Sequence, residues 1–120
     1  MTKSVIVADD TPSVRDLLCA MIESCAPDVK IDAVDDGQSL VQKVREGDYA
    51  LILTDNQMGQ GMGGIDAIKA IRTFNQKVPI YMISGSDMLE EALRAGATEY
   101  LAKPVKLKEI QDVTNKYLSL

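Results

Sequence analysis

The chain has 120 residues, 46% of them hydrophobic and 26% charged, the size and balance of one globular domain that buries its own core. A net charge of −5 excludes a surface built to grip nucleic-acid phosphates. The lack of any histidine excludes His-based acid–base catalysis, Ser–His–Asp activation and His-ligated zinc.

No 18-residue apolar run is present, so no membrane span is expected. The start, Met1-Thr2-Lys3-Ser4, leads straight into a strand-like run and does not resemble a signal peptide. Cys19 and Cys25 match no metal or redox spacing and read as reduced packing residues, which points to a cytoplasmic location.

Ser4-Val5-Ile6-Val7-Ala8 reads as a first strand and runs into Asp9-Asp10. Thr11-Pro12-Ser13 then offers a helix N-cap with proline at the first helical position. Val14, Leu17, Leu18, Met21, Ile22 and Cys25 recur at helical spacing, the stripe of a face laid on a core, which stops before Pro27. Val29 to Val34 reads as a second, more amphipathic strand, and Asp35-Asp36-Gly37 as a turn. Leu40, Val41 and Val44 mark a short helix ending near Gly47.

Tyr49-Ala50-Leu51-Ile52-Leu53-Thr54-Asp55 is the stretch around which the rest is organised. An apolar run without alternation suits a strand covered on both faces of a parallel sheet. Hydrophobicity does not account for the carboxylate at its end, which needs a partner beside a core. Asn56 to Gly64 carries four glycines between positions 59 and 64 and reads as a mobile loop. Ile65, Ile68 and Ile71 carry a third helix, stopping before Val78-Pro79. Ile80-Tyr81-Met82-Ile83 is another buried run, ending in Ser84-Gly85-Ser86. Met88 to Ala95 leaves space for about two helical turns before Gly96. Thr98 to Ala102 is a fifth strand ending in Lys103-Pro104, and Leu107, Ile110, Val113 and Tyr117 mark the last helix.

Five strands alternating with five helices predict an α/β fold, a three-layer doubly wound sandwich whose parallel sheet has order 2-1-3-4-5, as one domain over residues 1–120. Function in such sheets lies at the carboxyl ends of the strands. Those ends carry Asp9-Asp10, Asp55, Ser84 and Lys103, while Asp35 and Asp36 follow the edge strand and are assigned to a turn. Carboxylates a few ångströms apart cannot all stay ionised without a cation, and a hard divalent ion such as Mg²⁺ resolves that. A carboxylate can also act as a nucleophile and form an aspartyl phosphate. Lys103 and the Ser84 hydroxyl would then stabilise the charge on the phosphoryl group.

With these strand ends in place, the whole chain resembles the receiver domain of two-component response regulators, a flavodoxin-like fold. The resemblance implies that Asp55 is the phosphoacceptor, Asp10 a direct Mg²⁺ ligand, Asp9 its water-mediated companion and the Gln57 main-chain carbonyl a third protein ligand. It further implies that Ser84 is the switch hydroxyl, standing for the commoner threonine, that Tyr100 is the switch aromatic, and that Lys103 pairs with the phosphate before a cis bond to Pro104. The implied donor is the phosphohistidine of a sensor histidine kinase or a phosphotransfer protein. The implied output face is formed by the fourth helix, fifth strand and fifth helix, with no direct nucleic-acid or membrane contact. By this resemblance the chain is not an enzyme, beyond assisting its own phosphorylation and dephosphorylation.

Two departures stand out. The family motif Asp-x-x-Met-Pro-x-Met-Asp-Gly is replaced here by Met58-Gly59, with one inserted residue before Met62. The interval from Ser84 to Lys103 is about three residues shorter than is common, roughly one helical turn around the fourth helix. Gln57 and Ser86 stand where the family tunes phosphoryl lifetime. The chain stops just after the fifth expected helix, so it reads either as a stand-alone regulator or as a receiver cut from a longer protein.

Rival readings fare worse. A hydrolase using an aspartyl phosphate would need a second Asp two residues after Asp55, where Gln57 stands. A flavin or nucleotide module would need a phosphate-cradling loop after the first strand, where Asp9-Asp10 stands. A degenerate receiver that binds partners without phosphorylation is the remaining alternative, and the full set of site residues argues against it.

Overall fold

The computed structural model of the protein describes residues 2–59 and 61–118. Its elements run β1 (Ser4–Ala8), α1 (Pro12–Cys25), β2 (Lys30–Val34), α2 (Gly37–Glu46), β3 (Leu51–Asp55), α3 (Gly64–Arg72), β4 (Ile80–Ser84), α4 (Leu89–Ala95), β5 (Glu99–Ala102) and α5 (Leu107–Tyr117). The five strands form one parallel sheet in the order β2-β1-β3-β4-β5. The expected architecture is therefore the observed one.

Alternation along each strand divides the core in two. Ile6, Ala8, Ile52, Ile80 and Met82 face α2, α3 and α4, where they meet Leu40, Val44, Ile68, Ile71 and Ala92. Val5, Val7, Leu51, Leu53, Tyr81 and Ile83 face α1 and α5, where they meet Leu18, Ile22, Ile110 and Val113. All five residues of β3 and of β4 are buried, which is why those runs show no polar face.

The helix boundaries have local causes. Thr11 is the extended N-cap of α1 with Pro12 following, but its side chain makes no cap bond. Its N–H donates to Asp9 Oδ1 at 2.9 Å instead. Asp36, read as a turn residue, caps α2 by accepting the Ser39 N–H at 2.7 Å. α4 has only seven residues, as its short interval predicts. Gly96 ends it at φ +118°, in the left-handed region that favours glycine, and a Cβ there would meet Arg72 Cγ at 2.7 Å. No helix among the described residues is long and apolar enough to cross a membrane.

Candidate functional site

Strand register assembles the site. Ala8 pairs with Thr54, so Asp9 follows beside Asp55. Asp55 pairs with Ile83, and Ser84 with Ala102, which sets Lys103 one step beyond the end of β4. The Lys103 N–H donates to the Ser84 carbonyl at 3.0 Å and carries the alignment past the end of β5. Parity then sorts the side chains. Asp9 and Asp55 continue the 5, 7 and 51, 53 series that faces α1 and α5, and Lys103 follows Leu101 on that side. Ser84 and Tyr100 belong to the opposite series, with Met82.

Lys103 Nζ lies 3.1 Å from Asp9 Oδ2 and 3.1 Å from Asp55 Oδ2, bridging the two carboxylates. Asp9 is buried, and its carbonyl accepts from Arg15 Nη1 at 3.0 Å. Asp55 is 8% exposed, and its Oδ1 accepts from the Asn56 N–H at 2.7 Å. Asp10 is exposed and does not cap α1; its Oδ2 accepts from the Gly59 N–H at 2.8 Å. One carboxylate oxygen each from Asp9, Asp10 and Asp55 lies within 4.8 Å of the others.

Burial is the larger influence on Asp55 and raises its pKa, with Asp9 adding to the rise and the Lys103 bond opposing it. Burial alone would lower the Lys103 pKa, but its bonds to Asp9 and Asp55 outweigh that and raise it. Pairing thus favours the charged ammonium, while burial works against the charged form of the Asp55 carboxylate. Three all-oxygen, hard donors around one point suit a divalent cation that also tolerates water ligands.

Ser84 is buried, and its Oγ accepts from the Ser86 N–H at 3.1 Å. The half-buried Tyr100 donates from Oη to the Ser86 carbonyl and lies 3.4 Å from the Ser84 carbonyl, so its ring hydroxyl touches the loop after β4. Gln57 is exposed on the loop two residues beyond Asp55. The Lys103–Pro104 bond is cis.

The sequence alone did not single out Asn56 or Arg15, and it marked Gly59 only as a departure from the family motif, with no partner assigned. Besides its N–H bond to Asp55, Asn56 accepts the Ile65 N–H at 3.2 Å through Oδ1 and reaches Met88 Sδ at 3.1 Å through Nδ2. The loop expected to be mobile is tied at several points, since Gly64 N–H donates to the Asn56 carbonyl at 2.8 Å and Gly37 N–H to the Met62 carbonyl at 3.2 Å. A glycine where the family motif has proline was the available signal for Gly59, because it restores a backbone donor.

The family profile described as "Response regulator receiver domain" matches residues 5–115. The transcriptional regulatory protein ZraR of Klebsiella oxytoca is 33% identical over 110 residues, covering 89% of this chain and 24% of the relative, so the chain spans about a quarter of that regulator's length. The receiver domain of sensor histidine kinase PA1611 from Pseudomonas aeruginosa PAO1, solved with a magnesium ion coordinated in its active site cleft, superposes with TM-score 0.86 at 27% identity over 98% of each chain. The chemotaxis protein CheY4 of Vibrio cholerae superposes with TM-score 0.85 at 23% identity over 98% of this chain and 100% of its own, which shows the shared fold. Sequence match and strand-end geometry agree: the chain belongs to the response regulator receiver domain family of two-component and phosphorelay signalling.

Proposed function

We propose that the chain is a phosphorylation-dependent signalling switch that accepts a phosphoryl group on Asp55 from the phosphohistidine of a sensor kinase or phosphotransfer protein. The observation that carries this reading is the shared ammonium: Lys103 Nζ lies 3.1 Å from Asp55 Oδ2 and from Asp9 Oδ2 at the rim of the sheet. A structural ion pair needs one carboxylate. Two carboxylates on one lysine, with a third inside 4.8 Å, give a site that calls for an additional cation.

The residues that would hold that cation are Asp9, Asp10, Asp55 and the Gln57 main-chain carbonyl, and Mg²⁺ suits their oxygens. When bound, Mg²⁺ supplies charge neutralisation for the oxygens of the transferring phosphoryl group. In the transfer itself, an Asp55 carboxylate oxygen forms a bond to phosphorus while the P–N bond to the donor imidazole breaks. The bonding pair returns to the ring nitrogen. Asp55 becomes an acyl phosphate, and the Lys103 ammonium pairs with the new phosphoryl charge. Burial of Asp55 limits the access of water to that acyl phosphate.

A groove of about 330 Å³, lined by Val14, Leu17, Leu18, Met21, Ile83, Pro104 and Val105, opens beside Lys103. Leu17 is 55% exposed there, so a donor protein presenting its histidine to the rim has apolar surface to bury against. On the other face of the sheet, Ser84 and Tyr100 lie on the α4 side of β5, and a change there that alters the α4-β5-α5 surface is the output by this reading. By this reading the chain is a phosphoacceptor and not a turnover enzyme. The complete constellation favours phosphotransfer over a purely passive interaction module.

The test is mass measurement after incubation with acetyl phosphate. Wild type with Mg²⁺ should gain one phosphoryl group, and Asp55→Ala should gain none.

A further inference from the structure

Asp9 and Asp55 are buried and share the Lys103 ammonium, so burial and charge fix their carboxylates. Asp10 is exposed, and burial does not aim its side chain. What holds it is the bond from the Gly59 backbone N–H to Oδ2 at 2.8 Å, across 49 positions of sequence. Gly59 adopts φ +59°, in the left-handed region, and makes that donor available at a position where the family motif has proline, which has no N–H. The neighbouring backbone is anchored. Met58 is buried before it, and Met62 and Gly64 are tied to Gly37 and Asn56 after it.

We propose that the Gly59 backbone N–H is a positioning group for Asp10, holding its carboxylate with the acidic cluster so that a divalent cation meets a ligand already in place. The inference rests on the Mg²⁺ reading of the site given above. A carboxylate offers about four lone-pair positions, so accepting one N–H leaves it able to ligate a metal. A charge-assisted bond of this kind restricts the rotation of an exposed side chain. Groups that hold metal ligands in this way commonly govern affinity by about 10- to 100-fold.

Mg²⁺ affinity measured calorimetrically on wild type, Gly59→Ala and Gly59→Pro separates the possibilities. Alanine keeps the donor, and its Cβ would meet nothing within 4 Å, while proline removes the donor. Alanine can reach this φ at a cost, whereas proline removes the donor and also fixes φ at about −65°, so a loss in Gly59→Pro is read together with the amide measurement on the wild-type chain below. The expected result is Gly59→Ala close to wild type and Gly59→Pro weaker by about 10-fold or more. Equal affinity of the two variants, or tighter binding by Gly59→Pro, overturns the proposal. A second measurement needs no variant. In ¹H–¹⁵N spectra of the wild-type chain, the Gly59 amide should keep its hydrogen-bonded shift and slow exchange as Mg²⁺ saturates. Loss of both on saturation would mean that the cation displaces the bond, which also overturns the proposal. If wild type binds no Mg²⁺ at all, the metal-site reading falls together with this one, whereas equal variant affinities strike this one alone.

Discussion

Lys103 Nζ sits 3.1 Å from Asp55 Oδ2, a contact joining residues 48 positions apart that neither β3 nor β5 could make alone. Removing the ammonium leaves Asp9 and Asp55 facing each other with burial opposing both charges. The Lys103 side chain is 24% exposed, so the loss in Lys103→Met should be on the order of 2 kcal/mol, below the roughly 3–5 expected at a fully buried pair. Because the folded-state Lys103 pKa is raised, its stabilisation is present below its ordinary value of 10.5 and is lost as pH rises through the folded value. The melting temperature gap to wild type should be full at pH 7 and narrow at strongly alkaline pH. Mg²⁺ should raise the melting temperature of the variant more than that of wild type, since a cation replaces the missing charge. An equal or smaller Mg²⁺ response would count against the shared-cation account.

Asp55 has the same linkage sign in a lower pH window, but its substitution acts in the opposite direction. Burial raises its folded-state pKa, so folding favours the protonated form, and stability falls as pH rises through the carboxylate range. Asp55→Asn, which imitates the neutral form, should raise the metal-free melting temperature at pH 7. A gain on the order of 1 kcal/mol, roughly 4 °C, is expected. The gap should close below the ordinary value of 3.8, where Asp55 is neutral in both states. A variant that melts lower than wild type at pH 7 contradicts the desolvation argument.

The carboxylate at Asp36 does structural work and titrates the other way. The Ser39 N–H bond lowers its pKa, so its contribution is present above the ordinary carboxylate value and is lost as pH falls through the folded value. Asp36→Ala should cost about 1 kcal/mol at pH 7, as cap losses do, and leave Mg²⁺ binding unchanged. Thermal melts at pH 7 and at strongly acidic pH test this. A gap of the same size at both would mean that the ionised cap is not what matters.

Much of this was legible in the sequence, for identifiable reasons. The unalternating runs at β3 and β4 report a sheet covered on both faces, and polar residues closing such runs have no packing reason to be there. That places Asp9, Asp55, Ser84 and Lys103 on one rim before any coordinates. Which of them touch was not legible, because contact depends on register and on strand parity, which divides Asp9, Asp55 and Lys103 from Ser84 and Tyr100. Asp36 read as a turn because a cap and a turn use the same residue types. The bond from Gly59 to Asp10 left only an indirect signal, a glycine in place of the motif proline, because its donor is a backbone group and the sequence does not name that donor's partner.

Switching is expected to depend on the Ser84 hydroxyl. Tyr100 Oη already bonds the Ser86 carbonyl, and Ser84 Oγ accepts the Ser86 N–H at 3.1 Å, so hydrogen bonds through Ser86 link the three residues. A phosphoryl group can shift this linked set only through contacts that differ between its two positions, and the Ser84 hydroxyl provides them. Ser84→Ala should still be labelled at Asp55 but show a smaller Tyr100 ring shift on beryllofluoride addition. An undiminished NMR shift would separate Tyr100 from Ser84.

The central claim is that Asp55 is the phosphoacceptor and needs a divalent cation to act. Intact mass after incubation with acetyl phosphate, with Mg²⁺ and with chelator, on wild type and Asp55→Ala, tests it most directly. The expected result is one added phosphoryl group on wild type with Mg²⁺, little or none with chelator, and none on Asp55→Ala under either condition. Labelling of Asp55→Ala equal to wild type, or labelling of wild type indifferent to Mg²⁺, would contradict the account.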